Sequence, residues 1–210
     1  MLNNEITSEI LLLAYSQGLF PMAKDAQATD IAWYCPELRG QLSITDMHIP
    51  RRLKKSIRQM RIGGKPYEIR INHSFEHVIN ACAKQNETRT ETWINAQIID
   101  AYCKLHMEGY AHSVECWQDD EIVGGLYGIA MGGAFFGESM FSTVSDASKV
   151  CLIHLVARLG HAGFKILDTQ FTNDHLEQFG VYEIPHDEYM EQLKPVLQMH
   201  CIFDFKEGYS

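Results

Sequence analysis

No apolar run in the 210-residue chain approaches the roughly 18 to 20 residues that span a bilayer. There is no internal repeat and no low-complexity segment. None of the six cysteines, at positions 35, 82, 103, 116, 151 and 201, falls in a C-x-x-C pair. The first residues, MLNNEITSEILLLAYSQG, have no basic leader and no small-residue cleavage site, and their apolar positions recur at helical spacing. A helix is expected there, not a signal peptide. Without a secretory signal, the scattered cysteines read as reduced thiols of a cytoplasmic protein. What remains is ordinary for a globular chain: 46% apolar and 21% charged residues, at a length that suits one large domain or two small ones.

Acidic residues are nearly missing from one stretch. Residues 51–70, RRLKKSIRQMRIGGKPYEIR, hold eight of the 18 basic residues (Arg51, Arg52, Lys54, Lys55, Arg58, Arg61, Lys65 and Arg70) against one acid, Glu68. The net charge of −9 therefore divides into +7 for this stretch and −16 for the rest. Such a stripe either holds phosphates or is a solvated helix face; composition alone leaves both open.

Local patterns predict a helix over 8–18 closed by Gly18, a loop over FPMAKDAQATD, a short strand at 41–44, and a basic helix after Pro50. Gly63-Gly64-Lys65-Pro66 reads as a linker, and 67–71 alternates as a strand. Helices are expected near 74–84 and 94–108. Three antiparallel strands should follow, turning at Asp119-Asp120 and Gly132-Gly133. Next come a helix near 146–160 capped by Ser145 or Asp146, a strand over 165–170, short and longer helices from 174 and 186, and a final strand CIFDF. The class is α/β (α+β). The order meander, helix, strand, helix, strand is that of an N-acetyltransferase-like fold.

Several chemical signatures are incomplete. HSFEH fits the zinc pattern H-x-x-E-H, but Ser74 is a natural N-cap and would leave His73 outside the helix. GGLYGIAMGG lacks the Lys and Ser/Thr of a phosphate loop, and its glycines suit close approach of backbone or ligand. FGESMFS is not G-x-S-x-G, since Phe141 stands where the second glycine must be. No R/Q-x-x-G-x-G/A segment precedes the 146–160 helix to receive a coenzyme A pyrophosphate. In LDTQ, Asp168 and Gln170 are two positions apart on a strand and should share a face. They could form a polarising pair or a buried hydrogen-bonded one.

Taken together, LLLAYSQGLFP, WYCPELRG, TWIN, AYCKLH, GYAHSVECW, IVGGLYGIA, FFGESMFS, DASK, LDTQ and NDH resemble the bacterial leucyl/phenylalanyl-tRNA–protein transferases over about residues 10–190. The resemblance implies a small amino-terminal domain (1–62, with the basic helix) and an acetyltransferase-like (GNAT-like) catalytic domain (63–210). It implies transfer of Leu or Phe, and less readily Met, from aminoacyl-tRNA to proteins beginning with Lys or Arg, marking them for degradation. The chain would be a cytoplasmic monomer without metal, cofactor or membrane partner. By resemblance Asp168 orients and polarises Gln170, which engages the attacking amine, and Glu138 supports the basic residue or its amine. Trp93, Leu126, Met140, Leu152, Leu155, Leu159 and Leu167 would wall the donor pocket. Tyr15, Tyr102 and Ser142 would contact the terminal adenosine or ester. Arg51, Arg52, Lys54, Lys55, Arg58 and Arg61 would hold the tRNA stem.

The sequence departs from the family pattern in lacking an amino-terminal extension of some 20 residues ending in G-G-D. It also has Met22 in place of Trp after F-P and Cys35 in place of Ser in W-x-S-P. Alternatives are a coenzyme A-dependent N-acyltransferase and leucyl transfer to acidic termini.

Overall fold

The computed structural model of the chain describes residues 6–84 and 91–204. Helix α1 (Ser8–Ser16) is followed by strands β1 (Phe20–Ala23), β2 (Ile31–Tyr34) and β3 (Leu38–Gln41), then helix α2 (Arg51–Gln59). Strands β4 (Arg61–Ile62), β5 (Lys65–Pro66) and β6 (Glu68–Ile71) lead to helices α3 (Phe75–Ala83) and α4 (Ala96–Met107). The meander β7 (Ala111–Gln118), β8 (Glu121–Met131) and β9 (Ala134–Ser142) precedes helix α5 (Ala147–His161) and strand β10 (Ile166–Gln170). A short helix α6 (Asp174–Glu177), strand β11 (Tyr182–Pro185) and helix α7 (His186–Val196) complete the order.

Local chemistry sets most of these boundaries. Thr7 and Asn95 cap α1 and α4 by accepting the N–H groups of Ile10 (3.3 Å) and Ile98 (2.9 Å). Asp119 and Asp120 both have positive φ (50° and 62°), as a two-residue turn matched to strand twist requires, and they join β7 to β8. The meander, the helix after it and strand β10 thus form as the sequence predicts.

Seven strands make one sheet in the order β11-β3-β10-β9-β8-β7-β6. β10 runs parallel to β9, with α5 as the crossover, and the other neighbours are antiparallel. Alternating side chains divide between two cores, as Phe135 and Phe136 illustrate. Phe136 joins Tyr15, Val78, Tyr102 and Tyr189 on the face covered by α1, α3, α4 and α7. Phe135 joins Leu53, Leu152, Leu155 and Phe203 on the face covered by α2 and α5.

Several expectations are corrected. FPMA is not loop: it pairs with β2 in a separate two-stranded ribbon, where Pro21 costs no ladder bond in the main sheet. The strand expected at 41–44 lies at 38–41, placed by pairing with both β10 and β11. Gly63-Gly64 is no linker but the turn between β4 and β5, with positive φ at both glycines. The described part of CIFDF is not a strand. Phe203 instead stacks on His112 and Phe135 and gives its carbonyl to the Arg158 Nε–H at 2.8 Å, so a guanidinium replaces a ladder partner. Residue 205 lies outside the described residues.

Candidate active site

β9 and β10 pair only from Ala134–Phe136 against Ile166–Asp168, and then part. β9 runs on beside β8 to Ser142, while β10 ends beside β3. Each strand carries a bulge just past the point of parting. On β9, Gly137 opposes Gly128 and Ser139 opposes Tyr127, so Glu138 is the extra residue. On β10, Asp168 opposes Gln41 and Gln170 opposes Gly40, so Thr169 is the extra one. Bulges bend a strand and re-aim a side chain. Here they bring Glu138 and Gln170 together across the gap, with Gln170 Nε2 donating to Glu138 Oε1 at 3.2 Å. The glycine-rich segment does allow close approach. A Cβ at Gly128 would strike the Phe136 carbonyl oxygen opposite the bulge, and one at Gly124 would strike Ala147.

Behind Glu138 stand two buried tyrosines. Tyr15 donates to Oε1 at 2.7 Å and Tyr102 to Oε2 at 3.1 Å, and their hydroxyls touch each other. Burial raises the Glu138 pKa to about 7, against the pull of the two tyrosine donors. Burial, then the Glu138 charge, pushes both phenols well above their usual range, so they remain donors.

Asp168 is fully buried, and so is its partner Arg39. Arg39 Nε lies 3.0 Å from both carboxylate oxygens and Nη2 lies 2.7 Å from Oδ2. The Tyr189 hydroxyl donates to Oδ2 at 2.6 Å, and the backbone N–H of Gln170 donates to Oδ1 at 2.8 Å. Burial works to lower the Arg39 pKa, but Asp168 outweighs it and holds the guanidinium charged. The alternation expected for Asp168 and Gln170 is broken by the bulge and by the left-handed φ of Gln170 (58°). Asp168 grips the backbone of Gln170, while the Gln170 amide faces Glu138.

Below the gap lies a cavity of about 1010 Å³. Leu126, Met140, Leu152, Leu155 and Leu167 form its apolar wall, and Glu138 and Ser142 lie on its lining. Leu159 is fully buried in the α5 core and Trp93 packs at the edge of the opposite core, both outside the lining. Tyr15 and Tyr102 are fully buried, lie outside the lining and are hydrogen-bonded to Glu138.

The start of α5 closes one rim. Ser142 Oγ accepts the Ser148 N–H at 2.9 Å and bonds its hydroxyl at 2.8 Å, so Ser142 does the capping expected of Ser145 or Asp146. Asp146 sits at the N-cap position without a capping bond. Its carboxylate pairs instead with Arg52 and, at 3.5 Å, with Lys149. A phosphate arriving at this helix end would meet a carboxylate.

Arg52 thereby ties α2 to the rim, and Leu53 anchors the same helix in the core. Arg51, Lys54, Lys55, Arg58 and Arg61 are exposed. In the HSFEH segment, α3 starts at Phe75 with His73 ahead of it, as Ser74 at the N-cap position predicts; the Ser74 side chain makes no capping bond. Among the described residues no three His, Cys, Asp or Glu side chains could hold a metal ion, and no helix is long and apolar enough to cross a membrane.

Arg39 and Tyr189, which hold the Asp168 carboxylate, are the neighbours of the candidate site that sequence reasoning missed. A lone arginine in ELRG is legible only once β3 is known to lie beside β10.

A model of the leucyl/phenylalanyl-tRNA protein transferase family matches residues 41–194, and a model of that family's N-terminal domain matches residues 4–37. A leucyl/phenylalanyl-tRNA–protein transferase of Paramagnetospirillum magneticum is 48% identical over 199 residues, covering 95% of this chain and 93% of the relative. One of Gloeobacter violaceus is 52% identical over 198 residues, covering 94% and 97%. Among solved structures, L-PGS from Bacillus licheniformis aligns with a TM-score of 0.43 at 12% identity. It covers 91% of this chain and 64% of that one, a likeness that carries nothing about the reaction.

Proposed function

The chain belongs to the leucyl/phenylalanyl-tRNA–protein transferase family, and from that premise we propose how it moves an amino acid from aminoacyl-tRNA to a protein amino terminus. The donor side chain, Leu or Phe and less readily Met, enters the cavity walled by Leu126, Met140, Leu152, Leu155 and Leu167. Its ester carbonyl then lies at the mouth, beside Glu138 and Gln170. Because the ester is already activated, neither a nucleophilic side chain nor a coenzyme is called for. The acceptor is an α-amine of pKa roughly 8, on a protein beginning with Lys or Arg.

Gln170, with its NH₂ on Glu138, keeps its carbonyl oxygen to accept an N–H of that amine. The nitrogen lone pair forms the new C–N bond. The proton it sheds passes to Glu138, and then to the 3′-oxygen of the ribose as the C–O bond breaks. Glu138 suits this exchange because its pKa of about 7 lies close to that of the amine. The observation that carries the reading is the Gln170–Glu138 contact where β9 and β10 part, directly over an apolar cavity.

The exposed cations of α2 would hold the phosphates of the acceptor stem, supported by the Arg52–Asp146 tie that sets this helix against the cavity rim. We infer a monomer acting in the cytoplasm, whose products carry a destabilising amino terminus.

The test is a mass-spectrometric assay with Leu-tRNA and Phe-tRNA and peptides beginning with Arg, Lys, Asp or Glu. Leucyl or phenylalanyl products on the Arg and Lys peptides are expected. Products confined to the Asp and Glu peptides would overturn the acceptor assignment. No product on any peptide, with thermal stabilisation by acetyl-CoA, would overturn the reaction itself.

A further inference from the structure

We propose that Arg39 is a positioning residue for aminoacyl transfer: its buried fork fixes Asp168 as a saturated anion that holds Gln170 in the left-handed turn aiming its amide at Glu138. The inference rests on the transfer reaction proposed above and assigns a role to a residue outside the reacting groups.

An ionised carboxylate has about four lone-pair sites. In Asp168 they are taken up by the Arg39 Nε–H shared between both oxygens, the Arg39 Nη2–H, the Tyr189 hydroxyl and the Gln170 N–H. No site is left to accept a proton from a substrate. Asp168 is therefore an anchor, and the proton traffic falls to Glu138.

What Asp168 anchors is conformationally costly. Gln170 has φ of 58°, and a non-glycine residue stays there only where its surroundings over-determine it. Two bonds do so: the backbone N–H to Asp168 Oδ1 at 2.8 Å and the side-chain Nε2 to Glu138 at 3.2 Å. If the carboxylate rotates, the first is broken and the amide is free to swing away from the amine.

Arg39 prevents that rotation because it is itself clamped. Nη1 donates to the Gly18 carbonyl at the end of α1 at 2.7 Å. The guanidinium also lies between the rings of Phe20 and Tyr189, at 4.9 and 4.7 Å from their centroids. Lysine offers charge but neither the planar fork nor the stacking. A buried ion pair is seldom the most stable solution for a core, since apolar residues of similar volume often do as well or better. A pair buried here, with one lone pair given to a strained residue of the site, is better accounted for by geometry than by stability.

Three proteins are compared with the wild-type chain: Arg39→Lys, Tyr189→Phe and Glu37→Gln, the last an exposed neighbour serving as control. Each is assayed for transfer from Phe-tRNA and from phenylalanyl-adenosine to an arginyl peptide, with its melting temperature. Arg39→Lys should lower kcat roughly tenfold or more on both donors, while KM for donor and acceptor stays within about twofold. Tyr189→Phe removes one donor from the same carboxylate and leaves the ion pair intact; kcat should fall roughly threefold with KM unchanged and a melting temperature lowered by the loss of one buried, charge-assisted hydrogen bond.

Wild-type kcat in Arg39→Lys overturns the proposal. So does a loss in which KM rises in step with a fall in melting temperature, as a purely structural residue would give. If Arg39→Lys fails to fold, Tyr189→Phe decides alone, and an unchanged kcat there overturns the proposal. A wild-type chain that transfers neither Leu nor Phe would instead sink the reaction reading and leave Arg39 to be judged as a structural group.

Discussion

The guanidinium of Arg39 has no solvent exposure and directs its donors to one carboxylate and one carbonyl between two aromatic faces. Arg51, Lys54, Lys55 and Arg58 on α2 are exposed and form no ion pair with a described residue. The same charge does different physical work in the two places. Inside, low dielectric and fixed geometry make each bond matter singly, and removing one partner strands the other. Outside, each charge is screened and mobile, so only the summed field counts, and it fades with salt. The interior cation can set an angle at the reacting centre. The exterior cations can supply affinity for a polyanion without reading its sequence.

The sharpest way to break this contrast is at the interior pair. Gln170→Ala and Asp168→Ala should each reduce transfer by about 10² or more, the scale of a lost positioning or acid–base group. Asp168→Ala should also unfold at lower denaturant, because it leaves Arg39 buried without its anion, at a cost of about 3–5 kcal/mol. Equilibrium urea melts and single-turnover rates measure both. An Asp168→Ala protein as stable as wild type would show that water reaches the guanidinium.

Next in size is the titration of Glu138. Its folded pKa of about 7 is above the unfolded carboxylate value near 4.5, so the folded chain binds the extra proton. Its stabilising contribution is complete below about pH 4.5 and is lost as pH rises through 7. Glu138→Gln should remove that component from a plot of melting temperature against pH. In log(kcat/KM), the free acceptor amine of pKa roughly 8 and Glu138 should together give a slope of two below about pH 7 in the wild type. Glu138→Gln should show a slope of one, and a retained slope of two would exclude Glu138 as the titrating group.

Smaller still, Met140→Ala enlarges the apolar wall and should raise KM for the donor several-fold while leaving the acceptor KM alone. Neutralising Lys54, Lys55 and Arg58 together should have the smallest effect per residue. All tRNA donors should weaken about equally, and the slope of log K against log salt should flatten by up to roughly one unit for each phosphate no longer neutralised. An aminoacyl-adenosine, which lacks the stem, should be turned over unchanged. Equal loss with both donors would make the stripe structural and erase the contrast between interior and exterior cations.

What could be read from sequence followed the reach of each interaction. The meander was legible because Asp119-Asp120 and Gly132-Gly133 are local turn signals between alternating segments. α2 was legible because its charges crowd one stretch. β3 was misplaced and β11 was not foreseen, since each exists by pairing with strands far away in the chain. In the site, strand spacing picked out Asp168 and Gln170 and the resemblance supplied their roles and that of Glu138, but neither supplied their arrangement. Strict alternation cannot foresee a bulge, and two bulges decide which groups meet. Leu159 illustrates the same limit from the other side: helical spacing groups it with Leu152 and Leu155, yet it lies a full turn beyond the cavity.

The insertion of β3 between β10 and β11 has a consequence for how the molecule is made. Arg39 and Asp168 are 129 positions apart, whereas the meander strands join through tight turns. Closing so long a loop is entropically slow compared with forming hairpins, so the meander can assemble while β3 waits. During synthesis, at about 5–20 residues per second, Arg39 leaves the ribosome many seconds before its anion. Pairing β3 with β10 is then also the step that seats Arg39 on Asp168, so on the role proposed for that pair the centre for transfer is completed only once the chain has been made almost to its end.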